Sequence, residues 1–331
     1  MLIPSLRKLA LGVGILLVPT LTSCSAQGPV PPAQIRLDET HLHTFDGEKL
    51  PYTQWLPQEK PRTVIIGVHG ISGAVSDFRP LANHILAESP RIAVYGAETR
   101  GQGNDPAKER RGHIRKRSDW FRDLISFTAL VRQRHPEARI VWCGESMGSL
   151  VVLHTYAAAA KKENLCDAMI LSSPITAIRD DFPRWKVSLA KLAAALFPKA
   201  RISLETLSGQ SEVRVTKDTV HEDQAQNNPY HIERHTLRLL ATLGDMMETA
   251  PEAGQSLDLP VLVLHGGKDV FSRPNDVKAF IASLPEEASV TRKFYPESYH
   301  LLFFDHQSDQ VIRDLTNWVE DLPGGLAAGA K

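Results

Sequence analysis

A chain of 331 residues, 42% hydrophobic and 23% charged, has an ordinary globular composition and room for one large catalytic domain or two average ones. Lys plus Arg and Asp plus Glu balance at 38 each, which leaves no electrostatic footprint for nucleic acid. Three cysteines are too few for a disulfide-rich scaffold or a multi-cysteine zinc module.

At the N-terminus, Arg7 and Lys8 precede an apolar run over residues 9–21. The run is shorter than the roughly 20 residues that span a bilayer, and it reads as the core of a secretory signal peptide covering residues 1–23. It ends in Leu21-Thr22-Ser23-Cys24, which resembles a bacterial lipobox, so Cys24 is expected to carry a lipid and become the mature N-terminus. An ordinary cleaved signal with an incidental cysteine is the alternative. Ser25 after the cysteine favours an outer-membrane lipoprotein facing the periplasm if the source is Gram-negative. Residues 24–38, with Gly28 and three prolines, read as a tether.

Residues 40–56 predict a hairpin turning at Asp46-Gly47. Compact apolar runs follow at 63–68, 92–95, 139–143, 168–171, 261–264 and 290–294, with helix-length segments between most of them at 77–88, 120–134 and 149–161. Short buried strands alternating with helices predict an α/β fold built on a mostly parallel twisted sheet. The alternation stops over residues 175–259, where helical patterns at 184–197 and 231–249 come without a convincing buried strand. That stretch predicts a helical cap inserted into a core formed by 39–174 and 260–322, with 323–331 as a frayed Gly/Ala-rich tail. Cys143 and Cys166, about five residues apart along neighbouring strands, are expected to be buried free thiols.

The segment Gly144-Glu145-Ser146-Met147-Gly148 follows one of these strands and precedes a helical pattern. A serine hydroxyl needs a base and an oriented geometry to act as a nucleophile, and a G-x-S-x-G elbow supplies the geometry. In the order this fold requires, an acid and a histidine follow at strand ends: Asp269 after the turn at 265–268, and His300 beyond the strand at 290–294. Asp181 and Asp305 are weaker acid candidates. The oxyanion donors are expected to be the backbone N–H groups of Met147 and of Ile71, in the loop His69-Gly70-Ile71-Ser72-Gly73.

Together His69-Gly70, Arg100-Gly101-Gln102-Gly103, the Ser146 elbow, Ser172-Ser173-Pro174, His265-Gly266-Gly267-Lys268-Asp269 and the His300 loop resemble the monoacylglycerol lipase/lysophospholipase branch of the α/β-hydrolases. That branch is also catalogued with serine aminopeptidases. The resemblance spans residues 40–318 and implies an α/β-hydrolase fold, a carboxylic-ester hydrolase acting on single-acyl lipids, and a Ser146-His300-Asp269 triad with no cofactor or metal. Two positions depart from the family pattern, since Glu98 and Gln102 stand where it usually shows Asp and His. A peptidase using the same triad is the first alternative, and a non-catalytic envelope lipoprotein keeping the fold is the second.

Three further signals carry weaker expectations. His231 and His235 are four apart on the expected cap helix, but Ile232 occupies the place of a zinc-protease Glu, which argues against a metal. The basic run 108–117 is expected to be a solvated loop, with attraction to anionic headgroups as the alternative. Trp185, Val187, Leu189, Leu192, Leu196 and Phe197 are expected to pack on their own protein, the alternatives being an acyl-pocket wall or a membrane-facing lid.

Overall fold

The structure is a computed structural model, and it describes residues 35–159, 165–177, 184–203, 215–216 and 229–323. Cys24, the expected signal peptide over residues 1–23 and Asp181 lie outside these residues, as do the side chains of Trp185 and Val187.

The chain opens with three antiparallel strands, β1 Arg36–Leu37, β2 His41–His43 and β3 Lys49–Trp55. Strand β1 pairs Arg36 with His43. The tether expected to run to residue 38 therefore ends earlier, because two residues are too short to show a strand period in sequence. Parallel strands follow: β4 Thr63–Val68, β5 Ile92–Ala97, β6 Arg139–Glu145, β7 Ala168–Ser172, β10 Val261–Gly266 and β11 Val290–Tyr295. The nine-stranded sheet runs β1-β2-β3-β5-β4-β6-β7-β10-β11. Strands β4, β6, β7 and β10 are buried along their whole length. That double burial is why they read as unbroken apolar runs rather than alternating ones.

Helices cover both faces. On one side, α2 Arg117–Arg134 and α3 Met147–Ala158 bury Trp120, Phe127 and Leu150 against Ile140, Trp142 and Met169. On the other, α1 Arg79–Glu88 and the last helix, Ser308–Asp321, bury Leu81, Ile85, Val311 and Leu315 against Ile65, Val141 and Ile170. Cys143 and Cys166 are both buried and free, and burial pushes both thiols up. At the N-terminal edge of the sheet, the Arg139 guanidinium donates to the carbonyls of Val319 (3.3 Å), Leu322 (3.0 Å) and Pro323 (2.7 Å). Pro323 is thus tied down rather than frayed.

The segment between β7 and β10 contains α4 Arg184–Leu196, β8 Arg201–Ser203, β9 Arg234–Thr236, α5 Leu237–Glu248 and α6 Ala250–Gly254. Strands β8 and β9 form an antiparallel ribbon with Ile202 opposite His235, where a purely helical segment was expected. Three-residue strands paired across more than thirty positions leave no local signature. His235 is therefore on a strand, and His231 precedes it in a loop, so the expected helix begins only at Leu237.

Helix α4 also departs from expectation. Leu189, Leu192, Leu196 and Phe197 are 56%, 55%, 63% and 64% exposed, while Ala194 is buried and Lys191 pairs with Asp245 and Glu248 of α5. The helix docks on α5 through its small and charged side, which leaves its large apolar residues facing out. The basic run is likewise not a plain solvated loop. Ile114 is fully buried, Arg110 pairs with Asp105 and Glu48, and Arg201 donates to the carbonyls of Arg111 (2.7 Å) and Glu109 (3.1 Å).

Candidate active site

Strand β6 runs directly into α3 through Ser146, whose φ of 53° and ψ of −116° form a backbone that non-glycine residues rarely adopt. Close packing explains the flanking glycines. A Cβ on Gly144 would stand 2.4 Å from the Gly148 carbonyl oxygen, and one on Gly148 would stand 1.9 Å from that of Val68. The Ser146 N–H donates to the Ser172 carbonyl (2.9 Å), and the Ser149 hydroxyl donates to the Gly144 carbonyl (2.8 Å). The turn is held from both sides, which offsets its conformational cost.

Ser146, His300 and Asp269 come from three separate strand ends and meet in one line. The Ser146 Oγ lies 2.8 Å from His300 Nε2, and His300 Nδ1 lies 2.8 Å from Asp269 Oδ2. The other carboxylate oxygen, Asp269 Oδ1, accepts the N–H groups of Phe271 (2.9 Å) and Ser272 (3.0 Å). These bonds fix the carboxylate, and its contact with Nδ1 leaves Nε2 as the acceptor facing the serine. Burial disfavours a charged His300, but the charge and hydrogen bond of Asp269 outweigh it and hold the imidazole above the ordinary histidine range. The Ser173 hydroxyl donates to the His300 carbonyl (2.6 Å), and the Asp305 carboxylate accepts the Tyr299 N–H. Asp305, weighed as an acid, instead braces the histidine loop.

Met147 is the first residue of α3, where a helix leaves its amide N–H groups without intrahelical acceptors. The β4 loop passes over Ser146: a Cβ on Gly70 would lie 3.3 Å from Ser146 Cβ and 3.8 Å from its Oγ. Ile71, the other expected oxyanion donor, follows Gly70 immediately.

Several buried polar groups make contacts that the sequence did not predict. Arg100 is buried and paired with Asp123 through Nε and Nη2 (2.8 Å each) and with Asp46 (2.8 and 3.0 Å). Gln102 accepts the Ser72 N–H at Oε1 (3.0 Å), and His235 reaches Ser72 Oγ from the β9 strand (3.1 Å). Glu145, inside the elbow, is 1% exposed, and its Oε1 has no hydrogen-bond partner among the described residues. Burial, with the nearby Asp77 charge, pushes its carboxyl up to about 8, so it is neutral at pH 7. Gln102 was visible as a departure from the family pattern, and Arg100, Ser72, Glu145 and His235 stood in the motifs or pairs named above, but no sequence signal pointed to the contacts they make here.

Comparisons with known proteins give the chain a family. The family model described as "Serine aminopeptidase, S33" matches residues 59–307. A monoacylglycerol lipase of Mycolicibacterium smegmatis is 27% identical over 282 residues, covering 84% of this chain and 96% of that protein. The structure of a soluble variant of the Saccharomyces cerevisiae monoglyceride lipase, solved with a substrate analog, superposes with a TM-score of 0.71 at 22% identity, covering 89% of this chain and 95% of that one. A thermostable carboxyl esterase from Bacillus coagulans, solved with glycerol, gives a TM-score of 0.70 at 17% identity over 87% of this chain and 99% of that one. With an α/β-hydrolase sheet and a matched segment covering most of its length, the chain belongs to the serine aminopeptidase S33 family of α/β-hydrolases.

Proposed function

We propose that the protein hydrolyses carboxylic esters of single-acyl lipids, such as a monoacylglycerol or a lysophospholipid, by a Ser-His-Asp acyl-enzyme mechanism. The observation that carries this reading is the continuous Asp269-His300-Ser146 line, with both links at 2.8 Å. In the first step His300 Nε2 takes the Ser146 proton as Oγ attacks the ester carbonyl, and the tetrahedral oxyanion lies against the Ile71 and Met147 N–H groups. His300 then gives its proton to the leaving alcohol. In the second step it takes a proton from water, which attacks the acyl-enzyme, and returns that proton to Ser146 Oγ as the Oγ–acyl bond breaks and the fatty acid leaves. Asp269 stabilises the imidazolium throughout.

The lipid assignment draws on the monoacylglycerol and monoglyceride lipases among the relatives and on the exposed apolar ridge of α4. We further propose that Cys24 is lipidated and holds the enzyme at a bacterial envelope membrane, where such substrates reside. Metabolic labelling with a palmitate analogue that is lost in Cys24→Ala tests the anchor.

For the activity, a fluorophosphonate probe is expected to label the wild type and not Ser146→Ala. A panel of p-nitrophenyl esters and monoacylglycerols, set against aminoacyl anilides, tests the substrate class. Faster turnover of the anilides overturns the ester reading in favour of a peptidase.

A further inference from the structure

The cap reaches into the catalytic core at one residue beside the proposed oxyanion donor. Gly70 to Gly73 form a tight turn, closed by the Gly73 N–H donating to the Gly70 carbonyl (3.2 Å). Ile71 and Ser72 are its central residues. Only Ser72 among these has a positive φ, 57°, which makes the turn type II. A type II turn calls for glycine or asparagine at that place, and a serine there costs about 1 kcal/mol or more unless its surroundings hold it.

Three contacts among the described residues hold it. The Ser72 N–H donates to Gln102 Oε1 (3.0 Å) from the loop after β5. The Ser72 hydroxyl donates to the Ile232 carbonyl (3.2 Å), and its oxygen lies 3.1 Å from His235 Nε2. With the hydroxyl proton directed at Ile232, the histidine Nε2–H is the donor to Oγ. Gln102 and His235 are both fully buried, and Ser72 nearly so. Ile232 and His235 belong to the segment inserted between β7 and β10. The two contacts to Ser72 Oγ therefore tie that insertion to the loop carrying Ile71.

We infer that His235 and Gln102 are positioning residues for the oxyanion loop: by clamping Ser72 in its left-handed conformation they keep the type II turn, and with it the Ile71 N–H, in the orientation catalysis uses. If the clamp is released, the turn can relax to type I. Ser72 then returns to right-handed space and the Ile71–Ser72 peptide rotates, reversing the Ile71 carbonyl and the Ser72 N–H, so the Ile71 N–H on the preceding peptide loses the fixed turn that positions it beside Ser146. This inference rests on the hydrolase reading proposed above.

The test exploits the fact that glycine adopts the same turn unaided. His235→Ala and Ser72→Ala are each expected to lower kcat by about 10- to 100-fold with little change in KM, a loss of the size expected when an oxyanion donor is misplaced. Affinity for a trifluoromethyl ketone, which mimics the tetrahedral oxyanion, is expected to fall in parallel. Ser72→Gly is expected to keep most of the activity, and the double variant Ser72→Gly/His235→Ala is expected to recover most of what His235→Ala loses. Ser72→Ala leaves no large cavity, so it reports even if His235→Ala folds poorly. An active wild type with unaffected alanine variants, or a Ser72→Gly that fails to rescue, overturns the inference alone. A wild type that neither hydrolyses esters nor takes the fluorophosphonate overturns the hydrolase reading and this inference with it.

Discussion

Replacing Glu145 with glutamine isolates the effect of one proton on the residue next to Ser146. The carboxyl is 1% exposed, and burial together with Asp77 outweighs the pull of His300 and His69, lifting it from 4.5 to about 8. Below pH 4.5 both folded and unfolded chains hold the proton, and stability does not depend on it. Between 4.5 and about 8 the unfolded chain has released the proton and the folded chain retains it. Stability then falls by about 1.4 kcal/mol per pH unit. Above pH 8 both are ionised and the loss is complete, at roughly 5 kcal/mol. The glutamine side chain carries no such proton and keeps nearly the same shape. Guanidinium unfolding followed by tryptophan fluorescence, at about pH 5, 6, 7 and 8, should therefore show Glu145→Gln gaining on the wild type by on the order of 3–4 kcal/mol across the series. At pH 7 turnover should change little, because one neutral group replaces another. Parallel stability profiles for the two proteins would refute the buried neutral acid and the reasoning built on it.

Other perturbations probe the triad and its supports. His300 must be neutral to accept the Ser146 proton, so the acid limb of kcat/KM should have its midpoint above the ordinary histidine value of 6.5. Asp269→Asn removes the group that raises it and leaves burial acting alone. The limb should move to lower pH while the plateau drops by about 10³- to 10⁴-fold, read from a pH–rate profile. Arg100→Ala strands Asp123, which burial already holds at about 6 against the pull of Arg100. Thermal or chemical unfolding should show a loss of about 3–5 kcal/mol at pH 8. The loss should be smaller at pH 5, where the orphaned carboxyl takes up a proton in the folded protein. Gly148→Ala drives a Cβ to 1.9 Å from the Val68 oxygen. It should cost at least about 4 kcal/mol and leave little protein that fluorophosphonate can label.

The sheet was legible because β4, β6, β7 and β10 are buried on both faces and so announce themselves as short apolar runs. Ser146, Asp269 and His300 were legible because the elbow motif and the chain order of its partners are local facts about strand ends. The environment of the site was not. Ser72 and His235 stand 163 positions apart, and neither carries a neighbouring pattern that predicts their contact. Arg100 joins Asp46 to Asp123 in the same non-local way. Periodicity showed that α4 is amphipathic but not which side its neighbours cover. There the pairing of Lys191 with Asp245 and Glu248 decided the outcome. The β8–β9 ribbon failed for want of length, three residues being too few to show a period of two.

Arg139 holds the carbonyls of Val319, Leu322 and Pro323 at the start of β6, whereas Ser146 stands just past its other end. Arg139 and Ser146 are seven positions apart along the strand, about 20 Å. Pro323, the last described residue, is thus held at the end of the sheet away from Ser146. A fusion partner, reporter or immobilisation tag joined directly after Pro323 would be attached at that far end, on the opposite side of the strand from the approach to Ser146.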